Sequence, residues 1–186
     1  YRKMVISNLK KYKNQIKNIG IISVAHTYNK DYFIEFIEEL IQLGISSLTI
    51  NKYKTTEKEN IYEISEMEYV LLLKRIFIKW IDRKWYLNIN IQPLLSLFSN
   101  KPNKICVFLA DKNKCSYFRT FYQENDYTNY CDHVLNNTLP EISKNCLNCD
   151  IYTKCGGGCL LEEKDISFCK ARKALFKFVV EVKNEN

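Results

Sequence analysis

Eight cysteines lie between positions 106 and 169, and six of them, Cys131, Cys146, Cys149, Cys155, Cys159 and Cys169, fall within 39 residues. That density demands covalent or metal chemistry, and three kinds compete. Disulfides need an oxidising compartment, to which nothing in the sequence points, and they do not require the close CxxC spacing of Cys146 and Cys149. Zinc takes four thiolates in a closed tetrahedral site, a set that Cys146, Cys149, Cys155 and Cys159 can supply. Iron–sulfur clusters also take four cysteine thiolates each, so eight cysteines fill two clusters without remainder.

The run Cys146-x2-Cys149-x5-Cys155-x3-Cys159, followed by Cys169, resembles the SPASM module. That module is the twin-cluster extension of radical S-adenosylmethionine peptide maturases and anaerobic sulfatase maturases. The family pattern also has two upstream cysteines with a glycine between them. Cys115 and Cys131 take the two cysteine positions, and Asp126 stands in place of the glycine. Asn125 and Asp126 both tolerate left-handed backbone geometry, so a hairpin turn is still expected there.

The resemblance implies two auxiliary [4Fe-4S] clusters that share the central run. Cys115, Cys131 and Cys159 hold the first, and Cys146, Cys149, Cys155 and Cys169 hold the second. Cys106 has two readings. Some relatives supply a fourth ligand upstream, but Cys106 also sits inside Ile105-Cys106-Val107-Phe108-Leu109, where a buried cysteine behaves as a small hydrophobe. In the second case the first cluster keeps an open iron able to bind a substrate atom. Gly156, Gly157 and Gly158, three of the five glycines in the chain, let the backbone wrap closely around a cluster and aim N–H groups at its sulfurs.

The same resemblance implies an oxidoreductase of the cytoplasm that modifies a ribosomally made peptide or protein and draws electrons from a donor such as flavodoxin or ferredoxin. Asp132 directly follows Cys131, where anaerobic sulfatase maturases have an aspartate that serves as a base toward the substrate. General-base work needs such a carboxylate within hydrogen-bond reach of the proton removed. Only 14 residues separate Cys131 from Cys146, a short insert that favours a maturase of ribosomal peptides over a sulfatase maturase. No CxxxCxxC is present, the motif that ligates the catalytic cluster of the family and leaves one iron for S-adenosylmethionine. With Tyr1 in place of Met, the chain reads as a C-terminal portion. S-adenosylmethionine and a third [4Fe-4S] cluster then belong mainly to an N-terminal half outside it.

The elements that position these residues read as two modules. A helix is expected over 4–17, a buried strand over Ile19 to Ala25, and a helix capped by Asp31 whose Phe33, Ile34, Phe36, Ile37, Leu40 and Ile41 recur at three- and four-residue spacing until Gly44. A second strand over 45–50 completes a parallel crossover. Ser65 and Glu68 fit a capping box that opens a helix to about Arg83, and alternation from Trp85 to Ile91 predicts a strand ended by Pro93. The polar segment 99–104 then separates an α/β module over 1–100 from a cysteine-rich module over 104–186. Phe168 to Val182 is a helix expected to cap the second module. These elements give an α/β fold class, and the resemblance implies the C-terminal part of a partial (β/α) barrel followed by an irregular SPASM-type module with a small hairpin and a C-terminal helix.

Composition narrows the alternatives. Hydrophobic residues make up 46% of the chain, enough for a substantial core, and no apolar run approaches the roughly 20 residues that span a bilayer. The formal charge is +7, and Arg2, Lys3, Lys10, Lys11, Lys13 and Lys17 all precede the first acidic residue, Asp31. A solvated helix face accounts for them, and steering of an acidic partner is the other reading. No nucleic-acid-binding motif accompanies these charges. His26 and His133 have no partner at ligand spacing and receive no role. The alternative from a different functional class is a zinc-stabilised, cysteine-rich binding module with a basic docking segment.

Overall fold

The computed structural model describes residues 2–15, 19–53, 60–99, 148–155 and 166–185. Two compact units are present, one formed by residues 1–99 together with 166–186, the other by residues 100–165.

The first unit begins with helix α1 (Arg2–Tyr12), followed by strand β1 (Gly20–Ala25). A short 3-10 turn (Lys30–Tyr32) leads into helix α2 (Phe33–Gln42), which buries Phe33, Ile37 and Leu40 as its spacing predicts. Asp31 is not the cap of this helix. It lies in the preceding turn, and its carboxylate accepts a bond from Arg75 Nη1 at 3.3 Å. The other end of α2 closes as expected. Gly44 takes φ +73°, its N–H donates to the Ile41 carbonyl, and the Ile45 N–H donates to the Leu40 carbonyl, the double bond of a Schellman motif.

Strand β2 (Ser47–Lys52) follows and pairs with β1 in parallel, so the expected crossover is present. Helix α3 (Glu66–Asp82) starts at the Ser65–Glu68 capping box and buries Tyr69, Val70, Leu72, Leu73, Ile76, Phe77 and Trp80. The strand expected from Trp85 to Ile91 is mostly not one. After Lys84 turns the chain at φ 52°, Trp85–Leu87 form a 3-10 turn, and only Asn90–Gln92 are β3, which pairs in parallel with β2. Alternation misled here because Leu87 faces solvent, while Trp85 and Ile89 are buried and Trp80 Nε1 donates to the Ile89 carbonyl at 2.8 Å. Helix α4 (Leu94–Phe98) ends this stretch.

Helix α6 (Ile166–Glu185) packs within the first unit. Ala171, Leu175 and Val179 join the same core as α3, and Phe178 meets Phe77 edge-on with ring centroids 6.0 Å apart. An apolar stripe says that a helix must be covered but does not name its partner.

In the second unit, the described segment 148–155 makes one helical turn, α5 (Tyr152–Cys155), over a buried Ile151. Cys106, Cys115, Cys131, Asp132, His133, Cys146, Cys159, Gly156, Gly157, Gly158 and the turn at Asn125-Asp126 lie outside the described residues.

Candidate functional site

The sheet order is β1-β2-β3, all parallel, with Ile22 opposite Thr49 and Thr49 opposite Gln92. Because side chains alternate across the pleat, this register sorts them into two faces. Ala25, Leu48, Ile50 and Ile91 are buried in the core shared with α2 and α3. The opposite face carries Ile22, Val24, Thr49, Asn51 and Gln92, and it is open: Ile22 is 73% exposed and Val24 41%. Parallel sheets are almost always covered on both faces, so exposed isoleucine and valine are unusual on such a face.

The C-terminal edge of the sheet gathers aromatic and polar groups. His26, Thr27, Tyr28 and Asn29 follow β1, Tyr53 follows β2, and the segment 60–65 folds back against both. Asn29 fixes the first loop by accepting from the His26 N–H at 2.8 Å and donating to the Val24 carbonyl at 2.8 Å. The Tyr28 N–H donates to His26 Nδ1 at 3.2 Å, which holds the ring. Thr27 donates through its N–H to the Tyr62 carbonyl and through Oγ1 to the Glu63 carbonyl, and the Tyr53 N–H donates to the Ala25 carbonyl.

These bonds gather three rings around Tyr62. Its centroid lies 5.7 Å from that of His26, 5.5 Å from Tyr28 and 5.9 Å from Tyr53. Both Tyr28 and Tyr62 remain largely exposed. Below them, Lys52 is nearly buried and is shared by Glu66 at 3.0 Å and Glu63 at 3.6 Å, which ties the end of β2 to the start of α3. Lys30 reaches Glu68 at 2.5 Å. That bond, followed by those from Ser65, pulls the Glu68 carboxyl down to about 2. Burial pushes the Tyr69 hydroxyl up to about 12, and it donates to the Ile50 carbonyl at 2.6 Å.

The fold is similar to that of native anSMEcpe. This anaerobic sulfatase-maturating radical S-adenosylmethionine enzyme, solved with bound AdoMet, matches 99% of the present chain at a TM-score of 0.59 and 16% identity. With bound AdoMet and the Cp18Cys peptide it matches 98% at a TM-score of 0.58 and 15% identity. The chain spans 61% and 62% of those two chains, less than two thirds of the enzyme. No protein-family model and no curated protein matches the sequence. At this identity the likeness is one of fold, a mixed α/β chain with a three-stranded parallel sheet and helices.

Of the residues singled out by spacing, three are described. Cys149 and Cys155 are half-buried free thiols in the second unit, with Cys149 Sγ 3.7 Å from Asp150 Oδ1. The backbone turn is set by the Tyr152 N–H donating to the Cys149 carbonyl and the Cys155 N–H to the Ile151 carbonyl. Cys169 is exposed on the first turn of α6, in the other unit. Among the described residues no three His, Cys, Asp or Glu side chains converge to hold a metal. As donors, the thiols of Cys149, Cys155 and Cys169 suit iron–sulfur ligation. No described helix is long and apolar enough to cross a membrane.

The aromatic edge was not legible as a site. His26 and Tyr62 are 36 positions apart, and only the parallel register and the Thr27 bonds bring them together. The one available clue was His26 at the end of a strand, the edge where barrel enzymes keep their chemistry.

Proposed function

We propose that this chain is the C-terminal part of a radical S-adenosylmethionine maturase of the SPASM type, which modifies a ribosomally made peptide or protein. One coincidence carries the reading. A chain whose fold resembles that of anSMEcpe over 99% of its length also has eight cysteines, with the SPASM run from Cys146 to Cys159 followed by Cys169.

In this reading the α/β unit is the later part of a partial barrel. The open face with Ile22, Val24, Thr49, Asn51 and Gln92 is its lining, and the ring cluster around Tyr62 is part of the rim that receives the peptide. Exposed tyrosines suit that role, since a large rigid ring buries area at little entropic cost while its hydroxyl stays wet. Cys115, Cys131 and Cys159, with Cys106 as the candidate fourth ligand, hold one auxiliary [4Fe-4S] cluster. Cys146, Cys149, Cys155 and Cys169 hold the other. When bound, such clusters supply one-electron chemistry and, where a ligand is missing, an iron open to substrate. Asp132 is the candidate base that takes a proton from the peptide. AdoMet and the catalytic cluster are assigned to the half of the protein that carries CxxxCxxC.

The test is anaerobic purification, with absorbance, iron, sulfide and zinc measured on one sample. Brown protein with a broad band near ~400 nm and about eight irons per chain is the expected result. Colourless protein that retains zinc and takes up no iron on anaerobic reconstitution overturns the proposal in favour of a zinc-stabilised binding module.

A further inference from the structure

We propose that Arg172 tunes the iron–sulfur cluster assigned to Cys169, its charge stabilising the reduced state and its Nε–H serving a cluster sulfur. The cluster rests on the proposed function; the condition of Arg172 does not. Among the described residues two buried side-chain atoms have no hydrogen-bond partner, Glu66 Oε2 and Arg172 Nε. A buried polar atom gives up its hydration, and without a partner nothing is returned. Glu66 still has Lys52 on its other oxygen at 3.0 Å. Arg172 forms no ion pair with any described carboxylate.

Two rings fix the guanidinium, which lies 5.0 Å from the Phe168 centroid and 5.9 Å from that of Tyr69 on α3. Phe168 is one turn back on α6, as expected of a long helical side chain, which covers the turn N-terminal to its own Cα. The charge of Arg172 therefore sits at the level of Phe168 and of the next residue, Cys169, in the first turn of the helix. Cys169 and Arg172 are three positions apart, which makes them neighbours on the helix surface. That first turn holds no acidic residue to offset the charge. Cys169 itself is exposed there.

The N-terminus of a helix and an unpaired guanidinium both favour negative charge. A thiolate-ligated cluster is anionic, and its potential follows nearby charge, burial and N–H bonds to its sulfurs. Reduction adds one more negative charge, so a cation withdrawn from water favours the reduced state. Lys170 and Lys173 also flank Cys169, but both are exposed, where water and salt screen them. Arg172 is instead held half-buried against two rings. An arginine that serves only to pack those rings leaves the potential where it is.

The experiment reconstitutes the chain with iron and sulfide anaerobically and follows its clusters by electron paramagnetic resonance through a redox titration. Parent, R172Q, R172K and K170Q/K173Q are compared, with iron counted in each and helix content checked by circular dichroism. R172Q is expected to lower one of two midpoint potentials by about 59 mV, a tenfold shift of a one-electron equilibrium, and to leave the other in place. R172K keeps the charge without the Nε–H and shifts the same potential less, as does K170Q/K173Q. C169A removes the responsive cluster, so adding R172Q to it leaves the remaining potential unchanged. Two unchanged potentials in R172Q overturn the proposal, as does an equal shift in both or a larger shift in K170Q/K173Q. If R172Q loses helix, R172K decides, and unchanged potentials there overturn it too. A parent that takes up no iron counts against the proposed function, whereas two clusters indifferent to Arg172 count against this inference alone.

Discussion

Ser65 and Glu68 hold each other at the start of α3: the Glu68 N–H donates to Ser65 Oγ at 3.1 Å, and the Ser65 N–H donates back to Glu68 Oε2 at 2.9 Å. Lys30 takes the remaining carboxylate oxygen, Oε1, so two segments meet at one side chain. The Glu68 carboxyl falls from its ordinary 4.5 to about 2, chiefly through Lys30. A depressed carboxyl contributes stability above its unfolded value and loses it as pH falls toward the folded one. Glu68→Ala is therefore expected to cost about 1 kcal/mol at pH 7, the usual worth of a cap, with little added by a half-exposed ion pair. Urea midpoints of the two proteins are expected to converge between about pH 4.5 and 2.

Gly44 tests the turn that sets the β2 register. A Cβ there meets no atom within 4 Å, so any cost of Gly44→Ala comes from φ +73° alone, about 1 kcal/mol. Gly20→Ala is the matched control. Its Cβ meets Ser47 at 3.8 Å, ordinary contact, and its backbone is a strand, so the urea midpoint is expected to hold or rise slightly.

Leu175→Ala tests whether α6 is part of the α/β unit. Leu175 is 1% exposed in the core that α3 shares, and truncation there is expected to cost roughly 2–5 kcal/mol in urea or thermal unfolding. A change below about 0.5 kcal/mol is the result for a surface position and argues against this packing.

What the sequence disclosed and what it hid divide along the range of the interactions. The Ser65–Glu68 box, the α2 stripe and the Gly44 stop are local, and each was readable because the residues that make it lie within a few positions. The β1–β2 crossover was readable from its parts. The 85–91 segment was misread because a turn at Lys84 breaks the alternation that Leu87 completes only in sequence. The placement of α6 and the rings around Tyr62 depend on contacts between distant segments, which periodicity does not encode. The cysteines were legible as spacing only, since five of the eight and Asp132 lie outside the described residues.

Tyr62 is the ring through which His26, Tyr28 and Tyr53 touch. If the rim receives a peptide, Tyr62→Ala in the whole protein raises KM for the peptide roughly tenfold, the loss typical of an exposed aromatic anchor. Iron content should not change, because no cysteine is near in sequence. Tyr62→Phe keeps the ring contacts and should keep most of the affinity. Equal KM for Tyr62→Ala and the parent removes the rim from the account.

The proposed ligand set gives Cys149 and Cys169 to the same auxiliary cluster. That assignment makes a sharp demand. Cys149→Ala and Cys169→Ala should each lower iron by about half after anaerobic reconstitution, and the double variant should lower it no further, because one four-iron cluster is lost in every case. Losing the cluster should also expose the second unit to proteolysis, since its ordering draws on metal–ligand free energy, while the α/β unit keeps the core that α6 completes. Unchanged iron in Cys149→Ala contradicts the ligand assignment directly. Additive losses in the double variant place the two thiols on different clusters, and an unfolded α/β unit in Cys169→Ala ties the residue to packing instead of metal.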